Sequence, residues 1–229
     1  MKSNIEAISD LLSEQIGCTQ KERMEQYSKW NIYWNHIAKH QSNNITQKII
    51  SMLNAQEENS KECQVLEIGC GTGEYTLNLA ANYQHVTAVD MSEQMLCVLK
   101  QRAEKEKITN ITYRQSLFEH LPESKQYDFV FASMCPAICD YESLMKFERL
   151  SKNHCCLVSV VKNSSSRLRK ELRMQLTDQP LKGLSPDIIY QFHLLYVLGR
   201  YPNIQFFHSA SHSVIPLEEA VERYRIYFD

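Results

Sequence analysis

No run of eighteen apolar residues occurs in the 229-residue chain, so nothing in it reads as a membrane-spanning helix. The opening stretch MKSNIEAISDLLSEQ scatters charges where a secretory leader needs an apolar run, and the cytoplasm is the expected location. There is no excess of charge of either sign. Lys and Arg total 25 against 27 Asp and Glu, giving a net charge of −2 and a pI near 6.5. A strongly electrostatic nucleic-acid binder would be far more basic. Internal repeats and low-complexity tracts are absent. Paired C-x-x-C knuckles are absent too, so the eight cysteines read as reduced thiols, and neither a disulfide framework nor a bound metal is expected. Glycine is scarce at six residues, yet three of the six fall within five positions. What remains is ordinary: 43% hydrophobic and 23% charged residues, enough to bury the core of one domain.

The first helix is predicted over residues 4–16, where Ile5, Ile8, Leu11, Leu12 and Ile16 recur at helical spacing. An aromatic segment, KWNIYWNHIAKH, and a second helical run, ITQKIISMLNA, follow, and QEENSKE (56–62) closes this N-terminal part. The pattern then changes. VLEIG (65–69), HVTAVD (85–90), NITYR (110–114), YDFVFAS (127–133) and CCLVSVV (155–161) read as strands. Between them TLNLAAN (76–82), MLCVLKQRAEKE (95–106) and YESLMKFERLS (141–151) read as helices. Strand and helix alternating this way predict an α/β fold, a doubly wound, mostly parallel sheet with helices on both faces. Buried on both sides, such strands are continuously apolar. Beyond residue 162 a basic helix (SSSRLRKELRMQL), an apolar helix starting near Pro186 and stopping at Gly199, a strand at NIQFFHSAS (203–211) and a helix from Pro216 are expected. The expected plan is one domain with three parts. These are an N-terminal helical cap over 1–60, a core over 61–162, and helices with an edge strand over 163–229.

The chemistry lies in Val65-Leu66-Glu67-Ile68-Gly69-Cys70-Gly71-Thr72-Gly73. A strand runs into a glycine turn and then a helix, which lets a ligand approach the backbone at the carboxyl end of the sheet. Two details narrow the ligand. The dinucleotide pattern G-x-G-x-x-G needs glycine where Glu74 stands. Glu67, two residues before the first glycine, would repel a pyrophosphate but suits an ammonium or a sulfonium. Asp90 closes the next strand, 21 residues after Gly69, where a carboxylate holds ribose hydroxyls.

VLEIGCGTGEYTLNLA resembles motif I of the class I S-adenosylmethionine-dependent methyltransferases, E-x-G-x-G-x-G. VDMSEQML resembles the phrase that follows their second strand, and YDFVFASMCPAI their motif IV. The resemblance covers about residues 60–161 and implies a Rossmann-like fold. It also implies S-adenosylmethionine as cofactor, with S-adenosylhomocysteine as product. On it, Glu67, Gly69, Cys70, Gly71, Gly73, Asp90, Met91, Ser116, Leu117 and Ser133 are expected to bind the cofactor. Many relatives carry an acidic residue where Ser116 stands. Motif IV here reads Met134-Cys135-Pro136-Ala137 rather than N-P-P-Y. The family's final antiparallel strand has no counterpart after the 216–228 helix.

The expected activity is methyl transfer to a small-molecule acceptor, with Met134, Cys135 and Pro136 on the acceptor side. Trp30, Tyr33, Trp34 and His36 are expected either to pack in a core or to close as a lid over the cofactor. His36, Asp140, Tyr141 and His193 are the candidate bases, should the acceptor have to lose a proton. His193, in the apolar helix, reads as a core or pocket-lining residue. Cys135 lacks a partner base in the sequence, which argues against a nucleophile. The charge balance disfavours nucleic acid as partner, and no membrane partner is expected. Two alternatives stand beside the small-molecule reading: an RNA methyltransferase, and a methyltransferase-like binding module without turnover.

Overall fold

Apolar strand segments separated by amphipathic helices can bury both faces only by stacking side by side in one sheet. The computed structural model has that arrangement. It describes residues 5–11, 44–56, 60–124, 126–159, 161, 167–177, 188–208, 214 and 216–225. The aromatic segment with Trp30, Tyr33, Trp34 and His36 lies outside the described residues, as do Pro186 and the end of the first helix. Two compact units emerge: one over residues 38–159, the other drawn from 1–37 and 160–229.

The first unit holds the sheet. Its elements are α2 (Asn44–Gln56), β1 (Gln64–Ile68), α3 (Thr76–Asn82), β2 (His85–Asp90), α4 (Glu93–Lys105), β3 (Ile111–Gln115), β4 (Tyr127–Ser133), α5 (Tyr141–Arg149) and β5 (Ser151–Val158), with α1 being the stretch 5–11 in the other unit. All five strands are parallel, in the order β3-β2-β1-β4-β5. The chain builds outward from β1 to β3 on one side, then returns to add β4 and β5 on the other. The reversal lies between β1 and β4, and a ligand crevice belongs at their carboxyl ends.

Packing follows the burial pattern. Val65, Leu66, Ile68, Phe129, Val130, Phe131 and Ala132 are all buried in the two central strands. Phe129 anchors an aromatic cluster, its ring centre 5.7 Å from Tyr83, 5.0 Å from His154 and 6.2 Å from Phe131. The helices start where local chemistry allows. Ser92 caps α4 by accepting from the Met95 amide. Asp140 and Ser143 form a reciprocal capping box that starts α5. β5 begins at Ser151 rather than at the predicted Cys155, and stops at Val158. Its polar opening, Lys152-Asn153, is exposed, and a register shift between the Tyr127 and Phe129 pairings absorbs one extra residue. Apolar content alone cannot show that start.

The second unit contributes α6 (Arg167–Thr177), α7 (Ile188–Val197) and α8 (Leu217–Arg225) besides α1. Gly199 ends α7 as expected. At φ +75° it lets its own amide reach Tyr196 O and the Arg200 amide reach Leu195 O, each at 2.9 Å. Pro216 precedes α8 and its carbonyl accepts from Ala220. Two expectations are corrected here. The segment 203–208, predicted as a strand, forms none. Its Ile204 and Phe206 are exposed, and an extended segment becomes a strand only when a neighbour takes its backbone groups. His193, predicted in a core or pocket, is exposed on α7; Gln191 and Leu194 are the residues buried there.

Truncating Phe129 should therefore remove the centre of the core. Urea unfolding of Phe129→Ala should show a loss of about 4 kcal/mol, against about 1 kcal/mol for removal of the α5 cap in Asp140→Ala.

Candidate functional site

β1 delivers Glu67 and then turns. Gly69, Gly71 and Gly73 stand at φ +70°, +52° and +86°, where other residues are strained. They differ in their surroundings. A Cβ on Gly73 would stand 2.1 Å from Leu99 Cδ1, and one on Gly69 2.8 Å from Cys135 Sγ. A Cβ on Gly71 would meet nothing within 4 Å. Two of the glycines thus serve close packing, and the middle one borders open space.

The amides of this turn are committed inward. Gly69 and Cys70 both donate to Val89 O, at 2.8 and 3.0 Å, and Gly73 donates to Cys70 O at 3.0 Å. Gly71 donates to Asp90 Oδ2 at 2.9 Å. The other carboxylate oxygen, Oδ1, accepts from the Ser92 amide at 2.9 Å. Arg102 on α4 holds the Thr72 carbonyl at 2.8 Å. A pyrophosphate cradle needs free N–H groups. Here four amides of the turn are already used, and a carboxylate faces one of them.

Glu67 is 2% exposed. Burial, with Asp90 adding like charge, pushes its carboxyl up to about 8, against a smaller opposing effect from the Thr76 hydroxyl. Thr76 and Glu67 do not meet hydrogen-bond geometry, however. Glu67 Oε2 and Thr76 Oγ1 are both buried without a hydrogen-bond partner among the described residues. An orphaned buried carboxylate oxygen is costly unless something brings it a donor or a positive charge. Asp90 is also raised by burial, while the amides of Ser92, Gly71 and Met91 pull it back.

The loops after β3 and β4 complete the surroundings. The Ser116 amide donates to Asp90 O at 3.0 Å, its hydroxyl to Leu117 O at 3.0 Å, and Met91 O accepts from Gln115. After β4, Met134 takes φ +51°, a region bulky residues avoid unless their surroundings impose it. Its amide bonds Val158 O at 2.9 Å while 48% of its surface stays exposed. Cys135 faces Gly69. Burial pushes its thiol up to about 12, which opposes any role as a nucleophile. Pro136 lies beyond it, half-buried.

The candidate bases separate. Asp140 is spent as the α5 cap, accepting from Ser143 N at 2.8 Å, and Tyr141 is the first residue of that helix. His193 belongs to the second unit. Sequence reasoning missed a polar group beside the glycine turn. Tyr75 packs 5.0 Å from Phe131 and has the Ser133 and Thr46 side chains as polar neighbours. Thr46, on α2, donates to Glu74 Oε1 at 2.7 Å. Tyr75 could have been noticed, since it follows the motif directly. Thr46 could not, since it arrives from 28 residues earlier.

Residues 65–153 match the profile of a methyltransferase domain family. By that match these residues resemble a methyltransferase domain. The chain is 36% identical over 86 residues to a ubiquinone biosynthesis O-methyltransferase of Acinetobacter baylyi, covering 36% of each chain. It is 28% identical over 91 residues to a malonyl-[acyl-carrier protein] O-methyltransferase of Bacillus cereus, 39% of this chain and 33% of that one. The chain spans about a third of the length of these relatives. The fold is shared with magnesium protoporphyrin IX methyltransferase of Synechocystis (TM-score 0.56, 16% identity, 77% of this chain and 90% of that one). It is also shared with a SAM-dependent methyltransferase of Aquifex aeolicus (TM-score 0.51, 18% identity, 67% and 78%). Among the described residues no helix is long and apolar enough to cross a membrane.

Glu67 gives the domain a pH signature. Between the ordinary carboxylate range and about 8 the folded state keeps a proton that the unfolded chain has released. Stability should therefore fall as pH rises through that window, by a few kcal/mol at most. Glu67→Gln should flatten the slope in denaturant titrations at pH 5 to 9. Gly73→Ala should lose about 3 kcal/mol through overpacking and backbone strain, whereas Gly71→Ala should lose about 1 kcal/mol from strain alone.

Proposed function

We propose that this domain binds S-adenosylmethionine and transfers its methyl group to a small-molecule acceptor. The observation that carries the reading is Glu67, buried beneath the glycine turn with one oxygen unpartnered. With Asp90 close enough to raise it further, the site favours a positive ligand group. The residues present fit such a cofactor. Gly71 leaves open space where a side chain would intrude, and the Asp90 carboxylate, held by backbone amides, has acceptor capacity left for a ribose hydroxyl. Glu67 would meet the ammonium of the methionine end, directly or through a water. Gly69, Cys70, Gly71 and Gly73 would lie along the ligand, with Met91, Ser116 and Leu117 on the adenosyl side. Ser133, Met134, Cys135 and Pro136 would border the acceptor, joined by Tyr75.

When bound, S-adenosylmethionine supplies a methyl group already made electrophilic by its sulfonium. The protein has mainly to align the acceptor atom, and positioning of that kind is worth about 7–11 kcal/mol. A small-molecule acceptor accords with the slightly acidic charge balance. It accords too with the small-molecule chemistry in the names of the relatives, among them ubiquinone biosynthesis and magnesium protoporphyrin. The protein is proposed to work in the cytoplasm.

Calorimetric titration with S-adenosylmethionine and S-adenosylhomocysteine, with NAD as control, tests this. Both adenosyl ligands should bind and NAD should not. Glu67→Ala and Asp90→Ala should each weaken binding about tenfold or more. For wild type, affinity should rise with pH up to about 8, because a cation must first displace the Glu67 proton. A folded protein that binds neither ligand sinks the proposal.

A further inference from the structure

Lysine is seldom buried, yet Lys146 on α5 is only 8% exposed. Its Nζ donates to the Glu119 carbonyl at 2.7 Å and lies 5.4 Å from the centre of the Phe118 ring. Removing an ammonium from water is expensive. An apolar residue would fill the same position on the helix without that cost, so the contact needs a reason beyond packing.

What Lys146 holds is the crossover from β3 to β4. This segment leaves the edge strand and passes β2 and β1 before it re-enters the sheet. Among its described residues, the only helical element is the 3-10 turn Phe118–His120. Phe118 and Leu121 are buried, and the turn closes through His120 N to Leu117 O and Leu121 N to Phe118 O, both at 3.1 Å. At the other end the Ser116 amide is tied to Asp90 O at 3.0 Å. Ser116 and Leu117 are thus clamped between Asp90 on one side and Lys146 on the other. Arg149, one turn further along α5, meets Glu123 of the same crossover at 2.8 Å. That pair is exposed and holds it only weakly.

We propose that Lys146 is a positioning residue that fixes Ser116 and Leu117 as the wall for the adenosyl end of the cofactor. The inference rests on the cofactor reading above. It predicts that losing the Lys146 donor weakens every ligand carrying adenosine, whatever stands at the amino-acid end.

The test compares S-adenosylhomocysteine with 5′-methylthioadenosine, which lacks the amino-acid end, by calorimetry on wild type and variants. Lys146→Met, checked for folding by thermal unfolding, should weaken both ligands by the same factor, about tenfold. Lys146→Arg, which keeps a donor, should recover affinity for both. Glu67→Gln should weaken S-adenosylhomocysteine alone. Wild-type affinity in folded Lys146→Met overturns the proposal, and so does a loss confined to S-adenosylhomocysteine. Lys146→Gln, too short to reach the Glu119 carbonyl, repeats the comparison if the methionine variant does not fold, and wild-type affinity there overturns it equally. Failure of the wild type to bind either ligand would instead remove the cofactor reading itself.

Discussion

Asp90 ties together three pieces of backbone with one residue. One carboxylate oxygen holds the Gly71 amide, the other holds the Ser92 amide at the start of α4, and its own carbonyl takes the Ser116 amide. The glycine turn after β1, the helix after β2 and the loop after β3 are therefore set relative to one another by a single side chain and its peptide. Burial would otherwise push such a carboxyl toward neutrality, and the amides are what hold it back. The placement of the glycine turn depends on that balance. Arg102 at the Thr72 carbonyl and Leu99 against Gly73 support it from α4.

The same arrangement bears on the charge of the proposed ligand. A glycine-rich turn at a strand end is often read as a phosphate site, because such turns commonly leave amides unpaired. Here those amides are consumed by Val89, Cys70 and Asp90, and the buried side-chain atoms left without a partner nearby are Glu67 Oε2 and Thr76 Oγ1. The turn thus differs from a pyrophosphate cradle in having these amides paired.

Most of the sheet was legible in the sequence. Strands buried on both faces are largely apolar, and VLEIG, HVTAVD and YDFVFAS are mostly of that kind, with the polar exceptions Glu67, Thr87 and Asp128. The glycine turn, Glu67 and Asp90 were legible because spacing along one βαβ unit is fixed by geometry. β5 was only half legible: its polar start at Ser151 is specified by pairing with β4, not by composition. The segment at 203–208 misled, because alternating aromatics suit a strand but do not supply a neighbour. Thr46, Lys146 and Arg102 were invisible for a common reason. Each acts through a contact 27 to 30 residues away, and no local pattern announces such a partner.

The strand order also sets an order of events in time. β1 meets β2 through a segment that ends by Asp90, so Glu67, the glycine turn and Asp90 can come together early. Its other neighbour, β4, pairs Val65 with Phe129, and a loop of that length closes more slowly. A nascent chain released only as far as β3 would hold the glycine turn but none of residues Met134 to Pro136. Pocket closure would then await the second half of the sheet. Amide protection of Gly71 and Ser92 ahead of Met134 during refolding would record that sequence.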